Sequence, residues 1–165
     1  MIFVEPRDPR FITIRRGGTL TDENHRLLAV WAATCAEHVL PIFETAAPDD
    51  RRPHHALEQN RAWVRGEITM REALKAAQSR AAAKDVSGAA KFAAYAVAQA
   101  VAVAHVPAHE LGAAAYAIRA VQAANGAKAG RQECAWQRAR LPEEIRELVL
   151  DDQGLRNHAC WFVFT

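Results

Sequence analysis

His105 and His109 stand four positions apart, a spacing at which two imidazoles on one helix face can share a metal ion. Glu110 is the one carboxylate close to them in sequence. Pro107 lies between the two histidines and breaks the helix there, so a shared face does not follow from the spacing. The chemistry left to them is hydrogen bonding and proton carriage, and no metal and no cofactor is expected. A helix that ends at this point offers free carbonyls, and one that begins offers free amides. His105 can cap the former and gain from the helix dipole, while His109 can bond a neighbour. Tyr95, Gln99 and Tyr116 are near enough in sequence to add polar tips. Trp63 and Glu67 bracket Gly66. They can form the wall and acceptor of a pocket, or a packed helix end with a left-handed glycine. The candidate ligand-binding set is therefore Trp63, Glu67, Tyr95, Gln99, His105, His109 and Tyr116, with no catalytic residue assigned.

Two other constellations carry weaker chemistry. Glu58, Arg61 and Arg65 share a helix face, and the arginines can hold a carboxylate or phosphate, with Arg119 joining if its helix is adjacent. Such sets are ordinarily solvated ion pairs. Cys35 and His38 have the pairing of a nucleophilic dyad, but Trp31 and Val39 around them favour a buried, inert thiol. No Ser-His-Asp order, phosphate loop or paired-carboxylate motif stands out in the 165 residues.

The elements that position these residues read as helices. The alanine-dense run over 91–121 predicts two helices broken at Pro107, with backbones in close approach. Leu27, Leu28, Trp31, Cys35, Val39 and Phe43 recur at three- and four-residue steps. They predict a helix over 21–43, capped by Thr19 or Thr21 and ended or kinked by Pro41. Further helices are expected over 53–65, 69–84 (from the capping box Thr69-Met70-Arg71-Glu72), 87–104 and 108–124, with short ones over 131–139 and 142–150. The fold class is all-α, a compact antiparallel bundle of about five main helices plus short C-terminal ones. Residues 1–18 form an N-terminal arm, 19–150 the bundle, and 151–165 a tail docked on it or paired with the arm. Short strands at the termini are compatible with this.

Composition narrows the function classes. A net charge of +2 without a basic, aromatic-interleaved stripe argues against nucleic acid. Three widely spaced cysteines suggest neither a disulfide framework nor a metal motif, and fit a reducing cytoplasm. The opening MIFVEPRDPR has no apolar core, so no signal peptide is expected, and no apolar run suggests a membrane segment.

Several blocks, in order, resemble a bacterial family of helical immunity-protein-like domains. These are RLLAVWAATCAEHVLP over 26–41, Arg52-Pro53, RAWVRGEI over 61–68, Ala104-His105-Val106 with His109, and Ala114-Ala115-Tyr116-Ala117. They span residues 17–121. The resemblance implies an all-helical domain related to proteins that neutralise polymorphic toxins. The family carries a Gly-His pair where this chain has Ala98 and Gln99, so any site built on that histidine is altered here.

Two functional readings follow. The first is a non-enzymatic interaction protein whose partner is a toxin or another protein, docking through the segments 46–52 and 126–131. The second is a small cytosolic enzyme or small-molecule-binding protein, with a pocket among the helices over 53–65, 87–104 and 108–124.

Overall fold

The computed structural model describes residues 8–165 and is 75% helical. Helix α1 (Asp22–Ala46) starts where Thr21 accepts from the Asn24 amide at 3.1 Å, with Asp22 and Glu23 at the positive end of its dipole. Its apolar stripe Leu28, Trp31, Cys35, Val39 and Phe43 is buried, as the periodicity predicts. Pro41 does not end α1, which runs through it to Ala46. By length and composition α1 could cross a membrane, but it is mostly buried against other long helices of the chain, as a core helix is.

Helix α2 (Arg52–Val64) carries Pro53 in its first turn and ends ahead of Gly66, which is left-handed at φ 75°. The single helix expected over 69–84 is two. α3 (Met70–Ala76) has the predicted capping box, and α4 (Ser79–Ala82) restarts after Ala77 turns extended. Ser79 accounts for the restart. It is buried and donates to the Ala94 carbonyl at 2.7 Å, which ties α4 to the next helix rather than to α3.

That next helix, α5 (Gly88–Ala102), is the centre of the molecule and packs against α1, α2 and α4 and against α6 (Glu110–Asn125). Ala90, Ala93, Ala94, Ala96 and Ala100 are all buried, so five small residues line the approaches. A single 3-10 turn, Pro107–His109, connects α5 to α6, as the proline requires. α6 passes to α7 (Ala127–Arg138) through Gly126 alone, at φ 89°. The docking loop expected over 126–131 is therefore a turn and the start of a helix.

Helix α8 (Glu143–Arg156) runs past the expected end at Leu150 and leads into a second 3-10 turn, Asn157–Cys160. The tail then docks. Val163 and Phe164 are buried, Arg138 donates to the Phe164 carbonyl at 2.7 Å, and the Asn157 side chain accepts from the Phe164 amide at 3.1 Å. At the other end, Pro9–Phe11 and Ile14–Arg16 are 3-10 turns, and Thr13 and Leu20 form the one isolated bridge among the described residues. Residues 1–7 of the expected arm lie outside the described residues.

Close packing around α5 has a measurable consequence. Ala100 is fully buried and Ala102 is half-buried. Ala100→Leu should overpack the core and cost about 1–3 kcal/mol, and Ala102→Leu should cost under about 1 kcal/mol. Urea denaturation of both variants checks this. Equal midpoints would show that α5 is not tightly enclosed at Ala100.

Candidate functional site

The junction between α5 and α6 is built differently from its sequence reading. The free Val103 carbonyl is taken by His25 of α1, whose Nε2 donates at 2.6 Å. Burial lowers the His25 pKa, so the ring is held neutral against that carbonyl. His105, expected to cap these carbonyls, is exposed instead. His109 does bond a neighbour, and its Nδ1 donates to Gln99 Oε1 at 2.7 Å. This contact needs Gly112, because a Cβ there would sit 2.4 Å from Gln99 Oε1.

From Gln99 and His109 a stripe of polar and aromatic side chains runs along the outer faces of α5 and α6. Tyr95 and Tyr116 are ring neighbours at 5.2 Å, and Phe92 lies 6.3 Å from Tyr116. Trp161 of the tail meets Tyr116 edge-on at 5.2 Å. Arg119 lies beneath these rings, 5.1 Å from Phe92 and 5.5 Å from Trp161, within cation–π range of both. Burial among them raises the Tyr116 hydroxyl above its usual range.

Trp161 and Phe162 are the unusual residues. Both hold left-handed backbone, at φ 54° and 55°, a conformation that bulky side chains avoid. Both are exposed, at 47% and 61%. The anchors on either side explain the geometry. The Phe162 amide bonds the Asn157 carbonyl at 3.0 Å, and the buried Val163 and Phe164 follow. The turn is too tight to hide two large rings and turns them outward.

The structure thus brings Tyr95, Gln99, His109 and Tyr116 together and separates them from the rest. Trp63 packs on His25 at a 5.0 Å ring separation, at the end of α2. Glu67 is exposed beside Arg65, at 2.7 and 2.8 Å, and the arginine holds its carboxyl below the usual range. Two surface clefts stand out, and none of the seven candidates lines either. One, of about 180 Å³, lies between α1 and α2 around Val30, Ala33, Glu37, Asn60 and Arg61. The other is bounded by Arg51, Arg52, His55 and Gln78.

The remaining constellations resolve into structural pairs. Arg61 binds Glu37, Arg65 binds Glu67, and His54 lies 3.2 Å from Glu58. Arg119 joins none of them. The Cys35 thiol is fully buried, and burial pushes its pKa well up, so it is no nucleophile. His38 turns to Glu133, whose carboxylate accepts from Nδ1 at 2.8 Å. It stacks on Trp136 at 3.7 Å, and the Arg140 guanidinium also lies over the Trp136 ring, at 3.7 Å. Among the described residues no group of three or more metal-ligating side chains comes together.

A family model described as Imm-5 like putative immunity protein matches residues 18–144. The chain belongs to that family. No curated protein and no solved structure shows significant similarity to it. The match covers α1 to α7 and reaches the first residues of α8, so the Trp161–Phe162 turn lies beyond the matched segment.

Sequence reasoning missed three members of the stripe, Phe92, Arg119 and Trp161. Phe92 lies three residues before Tyr95, a signal that was available. Trp161 required knowing that only the second half of WFVF is buried. It also missed a buried acid cluster that joins α8 to the α5–α6 break. Glu110 is fully buried, and its Oε2 accepts from the Leu111 amide at 2.5 Å and lies 3.7 Å from Arg156. Arg156 grips Asp152, with Nε to Oδ1 at 2.6 Å, and donates to the Ala108 carbonyl at 2.9 Å. Burial first, and the nearby Asp152 charge second, raise the Glu110 pKa well above 4.5.

Because Glu110 binds its proton more tightly when folded, its stabilisation is full below about 4.5 and declines as pH rises toward the elevated folded value. Glu110→Gln keeps a neutral, isosteric group. Its melting temperature should therefore fall less across that window than the parent's, and at pH 7.5 it should equal or exceed the parent's. Asp152→Asn leaves Arg156 without its carboxylate and should cost about 1–3 kcal/mol. Melting curves from pH 4 to 8 decide it. A Glu110→Gln loss at pH 7.5 as large as that of Asp152→Asn would mean that Glu110 works as an anion.

Proposed function

We propose that this protein binds a bacterial toxin and neutralises it by occupation, with no reaction of its own, and that it docks through the aromatic face of α5, α6 and the tail. One observation carries the choice of surface: Trp161 is held outward against Arg119 and Tyr116, with the exposed Phe162 next to it in the same left-handed turn. Trp, Tyr and Arg dominate the binding energy of protein interfaces. Rings already fixed before binding lose little freedom on association. Family membership supports the toxin as the kind of partner. The three free, buried cysteines suit action in the cytoplasm.

The segment 46–52 is a weaker docking surface, because two of its four charges are already paired and it presents no aromatic ring. Asp50 binds Arg52, with Nε to Oδ1 at 2.9 Å, and Arg52 also reaches Asp85 at 2.6 Å. A pocket enzyme would need a concavity at the seven candidate residues, and neither prominent cleft supplies one.

The test is growth protection. Toxin domains encoded beside the gene are expressed with the parent protein, with Trp161→Ala and with Trp136→Ala, a half-buried tryptophan on a different face, as a control that should still protect. The parent protein should restore growth, and Trp161→Ala should weaken toxin binding by about 2–4 kcal/mol while its melting temperature stays near the parent's. Full protection by Trp161→Ala would remove this face from the docking surface. Failure of the parent protein against every neighbouring toxin would remove the toxin.

A further inference from the structure

Arg119 is under-used where it stands. Among the described residues its one hydrogen bond is a long 3.5 Å contact from Nη1 to Gln122. Its Nε is buried with no acceptor at all. A guanidinium has five donors in a rigid fork, and most of this fork is idle. The rings of Phe92 and Trp161 compensate part of its charge but accept no strong hydrogen bond. By contrast Arg10, Arg52, Arg65 and Arg156 each hold a carboxylate within 3 Å.

The charges around Arg119 share its sign. Arg80 of α4 acts on the Tyr116 hydroxyl, and Lys91 lies one turn before Tyr95 on α5. Neither α4 nor α5 contains an acidic residue, and the one acid on α6, Glu110, is buried at its far end. No ion pair reaches Arg80, Lys91 or Arg119 among the described residues.

We infer that this face takes an acidic segment of the protein partner. A carboxylate engages the Arg119 guanidinium, and the apolar side chains beside it lie on Trp161 and Phe162. The inference rests on the docking reading above and adds the partner's chemistry. The carboxylate supplies an acceptor to Nη2, which makes no hydrogen bond among the described residues and is not buried as Nε is, and the flanking rings hold the guanidinium plane in place for it. Charge-assisted, bidentate pairing of this kind is stronger than a neutral bond and selects geometry. Arg80 and Lys91 draw the acidic segment in from a distance, an effect that salt screens.

The experiment uses the full chain and two capped hexapeptides, alternating glutamate with leucine or lysine with leucine. Nitrogen-15 spectra follow the Trp161 indole and Arg119 Nε–H signals at roughly 50 mM salt, where screening is weak. The glutamate peptide should shift both signals with a Kd on the order of millimolar, and the lysine peptide should shift neither. Arg119→Gln, confirmed folded by its own spectrum, should weaken the glutamate peptide about tenfold, and Arg119→Lys less, since it keeps the charge and loses the fork. Raising the salt to roughly 300 mM should weaken binding to the parent protein as well. An equal response to the lysine peptide, or no change in Arg119→Gln, overturns the acidic preference. That outcome leaves the docking face itself to the growth assay, which reads Trp161 and not the peptide's charge.

Discussion

An alanine surface can be packed closely, but it gives its neighbours nothing to hold by side chain, and that constraint shapes this molecule. α5 is enclosed by α1, α2, α4 and α6 and presents chiefly alanine and valine to them. Its handles are backbone carbonyls. Ser79 of α4 donates to Ala94, Asn60 of α2 to Ala100, and His25 of α1 to Val103. Each carbonyl oxygen has a second lone pair, so a helix can accept such bonds without losing its own. The donors are buried, so each bond forms where water does not compete, and leaving one unmade would be costly. Packing supplies the bulk of the stabilisation, and these three bonds set where each neighbour stops along α5. α6 repeats the device, with Gln137 of α7 donating to the Ala114 carbonyl at 3.3 Å.

A centre of this kind leaves little room for chemistry inside. The buried titratable groups lie at its margins and serve the architecture. Glu110 and Asp152 share Arg156 where α8 meets the α5–α6 break, and Glu133 orients His38 between α1 and α7. Burial moves His25 and Glu110 in opposite directions, but both toward the neutral form. The larger polar and aromatic residues lie on the outer faces of α5 and α6, where they interrupt the alanines.

Most of the fold was legible in the sequence because periodicity, caps and breakers agreed. Thr21, the capping box at Thr69 and the break at Pro107 all act as their chemistry dictates. Two of the failures, at Ala76 and at His105, depended on a contact distant in sequence. Nothing local ends a helix at Ala76, and it is Ser79's bond to Ala94, fifteen residues on, that holds α4 apart. Pro41 should break α1 by local rules, yet the helix continues to Ala46, where the Ala47 amide still bonds the Phe43 carbonyl. His105 was the nearest histidine to the free carbonyls, but His25 reaches them from 78 positions away. The aromatic and polar stripe proposed as the docking face was legible in part. Tyr95, Gln99, His109 and Tyr116 follow from helical spacing across the break. Arg119 needed Trp161, and Trp161 needed the tail's docked position.

The tail gives the arrangement its logic. Left-handed backbone at two successive aromatic residues is costly and persists only where the surroundings over-determine it. Here they do so from both sides. Arg156 fastens the end of α8 to the Ala108 carbonyl, and Arg138 fastens the last residues through the Phe164 carbonyl. Between these clamps Trp161 and Phe162 have no inward path. The segment matched by the family model builds the scaffold that supplies Tyr95, Tyr116 and Arg119, and residues beyond it supply the two most exposed rings. Substitutions at Trp161 or Phe162 therefore alter the proposed docking face without disturbing the alanine packing around α5. A bundle organised in this way can vary the residues at its edge while its centre stays as it is.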